Sequence, residues 1–194
     1  STIALFTGWA SYQANSLSAL SPEFVQTYDE IKGVSIGCKA YTVDDCFTYL
    51  DRNVIAEGYQ PVQFTFYNQS DRTYLFTRKG VSLISANPEE VARTVHTSTA
   101  GRVTGYTIGG VILFPLTSPL FIPAIVDGIK SSNANASLDV DFSEKAKGQL
   151  EIRPKSFSST LIFVPKAHYA PIFELSLVDK KTGKTKTVDL SICQ

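Results

Sequence analysis

Three cysteines, two histidines and two adjacent pairs of carboxylates are the residues of this chain with the most chemical potential. Cys38 and Cys46 are separated by Lys39 to Asp45, Cys193 stands far off, and no CxxC pair occurs. A zinc site needs about four clustered ligands, and only His96 and His168 could supplement the cysteines, so neither a metal centre nor a cofactor is expected. In an oxidising compartment Cys38 and Cys46 are close enough in sequence to pair as a disulfide; buried thiols are the alternative. Neither histidine lies near a GxSxG elbow or a second histidine at ligand spacing, so a triad would have to be assembled wholly by the fold. Asp44 with Asp45 and Glu89 with Glu90 could be posed as hydrolytic pairs. Neighbours on a helix point about 100° apart, however, so neither pair converges on one substrate atom. The glycines from Gly101 to Gly110 lack the closing GK[ST] of a phosphate loop and follow no strand with GxGxxG spacing. An enzyme is not indicated.

The elements that would have to position these residues follow from composition and periodicity. With 18 basic and 18 acidic residues the formal charge is zero, so no long-range field gathers nucleic acid, and none is expected as a partner. A hydrophobic fraction of 43% with 19% charged residues suits a folded chain, and 194 residues suit one sizeable core. Residues 1–31 read as an arm laid on the domain. Val34, Ile36 and Cys38 alternate with Ser35, Gly37 and Lys39, the two-residue period of a half-buried strand. Thr42 fits an N-cap, with Asp44 and Asp45 where the helix dipole favours negative charge and Gly58 as the stop. Val62, Phe64 and Phe66 alternate with Gln63, Thr65 and Tyr67, and the polar Gln69-Ser70-Asp71 predicts a hairpin back into Thr73 to Thr77. Further runs at Val81 to Ile84, Leu150 to Ile152, Leu161 to Val164, Ile172 to Val178 and Thr185 to Ile192 bring the total to about seven or eight strands, the number of an immunoglobulin-like sandwich.

Between the strand groups the period changes. Asn87 is a good N-cap, Pro88 suits the first helical position and Glu89 and Glu90 complement the dipole, so a helix begins there and runs toward Gly101 unless Thr97-Ser98-Thr99 breaks it. Gly101, Gly105 and Gly109 recur every four residues, which puts them on one helix face that a second backbone can approach closely. Ala124, Gly128 and Ser132 repeat that spacing. The two faces can zip together as an antiparallel helical hairpin. Asn133-Ala134-Asn135 reads as a turn, and Leu138, Val140 and Phe142 as either a short helix or a strand.

The stretch from Gly101 to Ser132 resembles the glycine-zipper hairpins of bacterial envelope proteins, and the remainder is similar to bacterial, lipoprotein-like sandwich domains. That resemblance implies a periplasmic or cell-envelope location. The sequence holds no methionine and opens at Ser1, consistent with an export signal or a lipidated segment having preceded it. Between Arg102 and Asp127 no residue is charged, a length that hydropathy alone would flag as a membrane span. Pro115, Pro119 and Pro123 oppose one continuous helix. Two hairpin arms of about a dozen residues would each reach only about 18 Å, short of a ~30 Å hydrocarbon core, so no transmembrane span is expected.

The expected fold is therefore α+β: an antiparallel, immunoglobulin-like sandwich from 32–86 and 149–194 with a helical insertion at 87–148, all in one domain. The apolar tip, Phe114, Leu116, Leu120, Phe121 and Ile122, either covers the sheets as core or touches a membrane surface or protein partner. The expected role is that of a non-enzymatic, envelope-associated structural or interaction protein. The alternative is a small-ligand carrier or enzyme with a pocket between insertion and sandwich, near His96 or His168.

Overall fold

A computed structural model describes residues 11–96 and 121–192, apart from the side chains of 121–131. In chain order its elements are β1 (Val25–Thr27), β2 (Val34–Ala40), α1 (Val43–Leu50), β3 (Tyr59–Asn68), β4 (Tyr74–Val81), α2 (Pro88–Thr94), α3 (Phe121–Lys145), β5 (Gln149–Ile152), β6 (Ser156–Pro165), β7 (Ile172–Asp179) and β8 (Thr185–Ser191). The strands form two antiparallel four-stranded sheets, one in the order β1-β2-β3-β6 and the other in the order β5-β4-β7-β8. The chain is thus mixed α+β, with a β-sandwich and three α-helices among the described residues.

The two-residue alternation is what makes the sandwich. Val34, Ile36 and Cys38 of β2, Val62, Phe64 and Phe66 of β3, and Ile162 and Val164 of β6 turn to the second sheet, where Phe76, Phe173, Leu175, Leu177, Val188 and Leu190 meet them. Phe66 lies 5.3 Å from Phe76 and Phe64 6.0 Å, edge-on, from Phe173, ring-centre distances at which aromatic pairs attract beyond their buried area.

The predicted hairpin after β3 does not form. Both edges of β3 are taken, by β2 and by β6, so the chain leaving Asn68 crosses to the opposite sheet, where β4 pairs with β5 and β7. Asn68, fully buried, organises that crossing: its Nδ2 donates to the carbonyls of Arg72 at 2.7 Å and Arg153 at 3.1 Å, and its Oδ1 accepts from the Ser70 amide at 3.0 Å. Polar turn residues here bridge sheets rather than close a two-strand ribbon.

The helices show a similar mixture of agreement and correction. Thr42 caps α1 in a reciprocal capping box with Asp45, and Asn87 caps α2 with Pro88 in the first turn. However, α1 stops at Leu50 because Asp51 adopts a left-handed conformation, with φ 51°, while Gly58, φ 91°, serves the later turn into β3. The second helix ends at Thr94 rather than running toward Gly101. The turn expected at Asn133-Ala134-Asn135 lies inside α3, and Leu138 to Phe142 is helix, not strand. Ala134, Leu138, Phe142 and Ala146 recur every four residues and are all buried, whereas Val140 is 60% exposed. That stripe, applied to a sheet, outweighs the turn propensity of the two asparagines.

Candidate interaction site: the helical layer and its neck

The outer face of the first sheet carries Leu161 and Phe163, and the helices bury it. Val91 and Ala92 from α2, Leu138, Phe142 and Ala146 from the end of α3, and Cys46, Leu50 and Val54 around α1 close over them into a second apolar cluster. Phe142 stacks on Phe163 with ring centres 5.4 Å apart and planes 16° from parallel. Among the described residues these side chains fill the space between α2, the end of α3 and the outer face of β6.

In sequence, α2 and α3 lie between β4 and β5, which are hydrogen-bonded neighbours, so the excursion leaves and returns at one place. The outgoing strand is held by the Ala86 amide, which donates to the Phe163 carbonyl at 2.7 Å. On the return, the Thr160 hydroxyl donates to the Lys145 carbonyl at 3.1 Å, and the Arg78 amide to the Gly148 carbonyl at 2.9 Å. Arg78 itself spans the neck: its guanidinium donates to the Ala86 carbonyl at 3.3 Å and to that of Ala146 at 3.5 Å. It can do so from a bulge in β4, where the register shifts between Phe76 and Val81. Gly80 is required there, since a Cβ would sit 2.7 Å from the Ser176 carbonyl oxygen.

Polar side chains complete the fastening of α3. His96 Nε2 lies 2.6 Å from Asp139 Oδ1, linking the end of α2 to α3. On the other flank the Tyr12 hydroxyl donates to Asp141 at 2.5 Å, and Lys145, itself buried, donates to the same Asp141 oxygen at 2.6 Å and to the Tyr49 carbonyl at 2.7 Å. Burial, and then the Asp141 carboxylate, raise the Tyr12 phenol well above its ordinary pKa, so it stays a donor.

Of the residues singled out from sequence, Phe121, Ile122, Ala124, Gly128 and Ser132 lie on α3, Phe121 at its first position, and Ser132 is exposed. Gly101, Gly105, Gly109, Phe114, Leu116 and Leu120 lie outside the described residues. The bridge weighed between Cys38 and Cys46 is not made: each is a buried thiol, Cys38 in the inter-sheet core and Cys46 in the helical one. Strand β2 and helix α1 aim the two at opposite faces of the first sheet. Burial pushes the Cys46 thiol up to about 11. His168 sits exposed in the short 3-10 turn Lys166–His168, apart from the helical layer.

Among the described residues there is no group of three or more His, Cys, Asp or Glu able to hold a metal, and no helix long and apolar enough to cross a membrane. One cavity of about 590 Å³ opens beside the neck, lined by Thr77, Arg78, Lys79, Val81, Leu83 and Gly148; another of about 550 Å³ lies at the loop end of the sandwich around Arg72 and Asp179. Sequence reasoning missed Arg78, Tyr12 and the Asp141–Lys145 pair. Only the last had a signal, the four-residue spacing of opposite charges on a helix. Compared with protein-family models, curated proteins and solved structures, the chain matches none at a significant level.

Proposed function

We propose that this is a non-enzymatic, cell-envelope-associated structural or interaction protein in which a rigid sandwich and its helical layer present the apolar stretch Phe114 to Ile122 to a membrane surface or protein partner. The observation that carries this reading is the neck. An uncharged stretch, bounded by Arg102 and Asp127, falls between α2 and the body of α3, whose flanking carbonyls at Ala86 and Ala146 are held by Arg78; Phe142 packs α3 on Phe163 of the sandwich, and the His96–Asp139 contact ties the end of α2 to α3. A contact element gains affinity when the ordering cost is met beforehand by its base.

Within the same proposal, Gly101, Gly105 and Gly109 face Ala124, Gly128 and Ser132 as an antiparallel hairpin. The four-residue repeat of small residues along α3 supports it. The sandwich is proposed to be immunoglobulin-like, supported by two antiparallel four-stranded sheets, β1-β2-β3-β6 and β5-β4-β7-β8, with sheet crossings after β3, β5 and β6. The filled junction between α2, α3 and β6 favours this reading over a ligand pocket there.

Flotation of the purified chain with neutral and anionic vesicles tests the membrane form, and crosslinking in envelope extracts tests the protein form. Phe114→Asp and Phe121→Asp are expected to abolish association while the circular dichroism spectrum and unfolding midpoint stay unchanged. If both substitutions unfold the protein, the stretch is core and the proposal fails.

A further inference from the structure

The edge of β4 changes character at its bulge. Strand β5 pairs with β4 only from Tyr74 to Thr77, so beyond Thr77 that edge has no strand beside it among the described residues. The chain runs on through Leu83 and Ser85 to the neck, and the cavity of about 590 Å³ opens along this unpaired edge, a size usual for small-ligand sites.

Its lining carries charge of one sign only. Arg78 and Lys79 stand in it with no carboxylate, whereas the cavity at the loop end of the sandwich is lined by as many carboxylates as cations. Neither Arg78 nor Lys79 makes an ion pair among the described residues. Arg78 is half-buried, and its guanidinium meets only two neutral carbonyls, at 3.3 and 3.5 Å. Those bonds hold the fork at the neck and leave its remaining donors without a protein partner. A cation placed in this way gains most from an anion, because charge-assisted hydrogen bonds are about twice as strong as neutral ones and low-dielectric walls strengthen them further.

The rest of the lining indicates what such an anion carries. The Thr77 and Ser85 hydroxyls can each donate to an oxygen, while Val81 and Leu83, members of the inter-sheet core, supply an apolar wall. We propose that this cavity binds a small organic acid, its carboxylate held by Arg78 and Lys79 and its apolar body laid against Val81 and Leu83. The planar fork of an arginine matches a carboxylate with paired bonds, which favours that head group. The site is separate from the stretch Phe114 to Ile122 and stands whether or not that stretch is a contact surface.

The test is titration of the isotope-labelled full chain with octanoate, followed by amide NMR, with octanol as the uncharged control. The amides of Thr77, Arg78, Lys79, Ser85 and Gly148 are expected to shift saturably with octanoate. Octanol should bind about tenfold more weakly or worse, since it lacks the charge-assisted contact. Lys79→Glu reverses an exposed charge that takes no part in the neck, and it should weaken octanoate by about tenfold or more while the unfolding midpoint stays unchanged. Should that variant fail to fold, added salt on the wild type replaces it: octanoate binding should weaken and octanol binding should not. Equal affinity for octanol and octanoate, undiminished binding by Lys79→Glu, shifts centred elsewhere on the sandwich, or no saturable shift at all would each overturn the proposal.

Discussion

Replacing Leu138, Val140 and Phe142 singly by alanine separates the two geometries that this stretch of sequence allows. On a strand all three would share one face and cost similar amounts. On α3 only Leu138 and Phe142 are fully buried, while Val140 is 60% exposed. Core Phe→Ala and Leu→Ala changes cost about 3–5 and about 2–5 kcal/mol respectively, and the stack of Phe142 on Phe163 places the first well inside its range. An exposed site away from special contacts changes stability by no more than about 0.5 kcal/mol. Urea unfolding followed by far-ultraviolet circular dichroism is therefore expected to show two large losses flanking a near-neutral one. A double cycle with Phe163→Ala should add a coupling of about 0.5–1.5 kcal/mol between the rings. If Val140→Ala costs as much as Leu138→Ala, or Phe142→Ala costs less than about 1 kcal/mol, the helical layer is not fastened to the sandwich as described.

Three further outcomes follow from individual side chains. In the native protein Cys38 and Cys46 should resist alkylation at neutral pH and react only on unfolding, since both are buried and the Cys46 thiol is pushed up to about 11; peptide mass spectrometry reads this directly. The hydrogen bond from Arg72, then the amides of Thr182 and Lys181, hold the Asp179 carboxyl below its ordinary value, so its contribution is present above the unfolded pKa of about 3.9 and is lost as pH falls through the lower folded value. The melting temperature should accordingly drop in acid, and Arg72→Met should flatten that drop; equal acid sensitivity in both would contradict the pairing. Gly80→Ala forces a Cβ against the Ser176 carbonyl and should destabilise by about 1–3 kcal/mol, whereas Gly148→Ala, whose nearest atom is the end of the Arg78 side chain, should cost clearly less.

The sequence was readable wherever one local rule acted alone. Alternation in Val34 to Cys38 and Val62 to Phe66 placed their inward faces correctly, and Thr42 and Asn87 marked their helix starts because capping is decided within four residues. It was misleading wherever pairing is decided at long range. Gln69-Ser70-Asp71 looks like a hairpin turn until β6, nearly a hundred residues later, occupies the remaining edge of β3. The asparagines at 133 and 135 suggest a break until the Ala134–Leu138–Phe142 stripe is given a sheet to cover. Of the candidate site, the starts of α1 and α2 were legible. The neck was not, because Arg78 reads as one more strand residue until a bulge delivers it to two carbonyls, of Ala86 and Ala146.

Whether the apolar stretch is a contact surface is decided most directly by hydroxyl-radical footprinting of the free protein, with its own phenylalanines as standards. Phe157, 60% exposed, and Phe142, fully buried, set the fast and slow limits. Phe114 and Phe121 are predicted to label close to the rate of Phe157 and to slow when vesicles or the partner are added. Labelling as slow as that of Phe142 in the free protein would mean that both rings belong to the core, and the proposed function would fall.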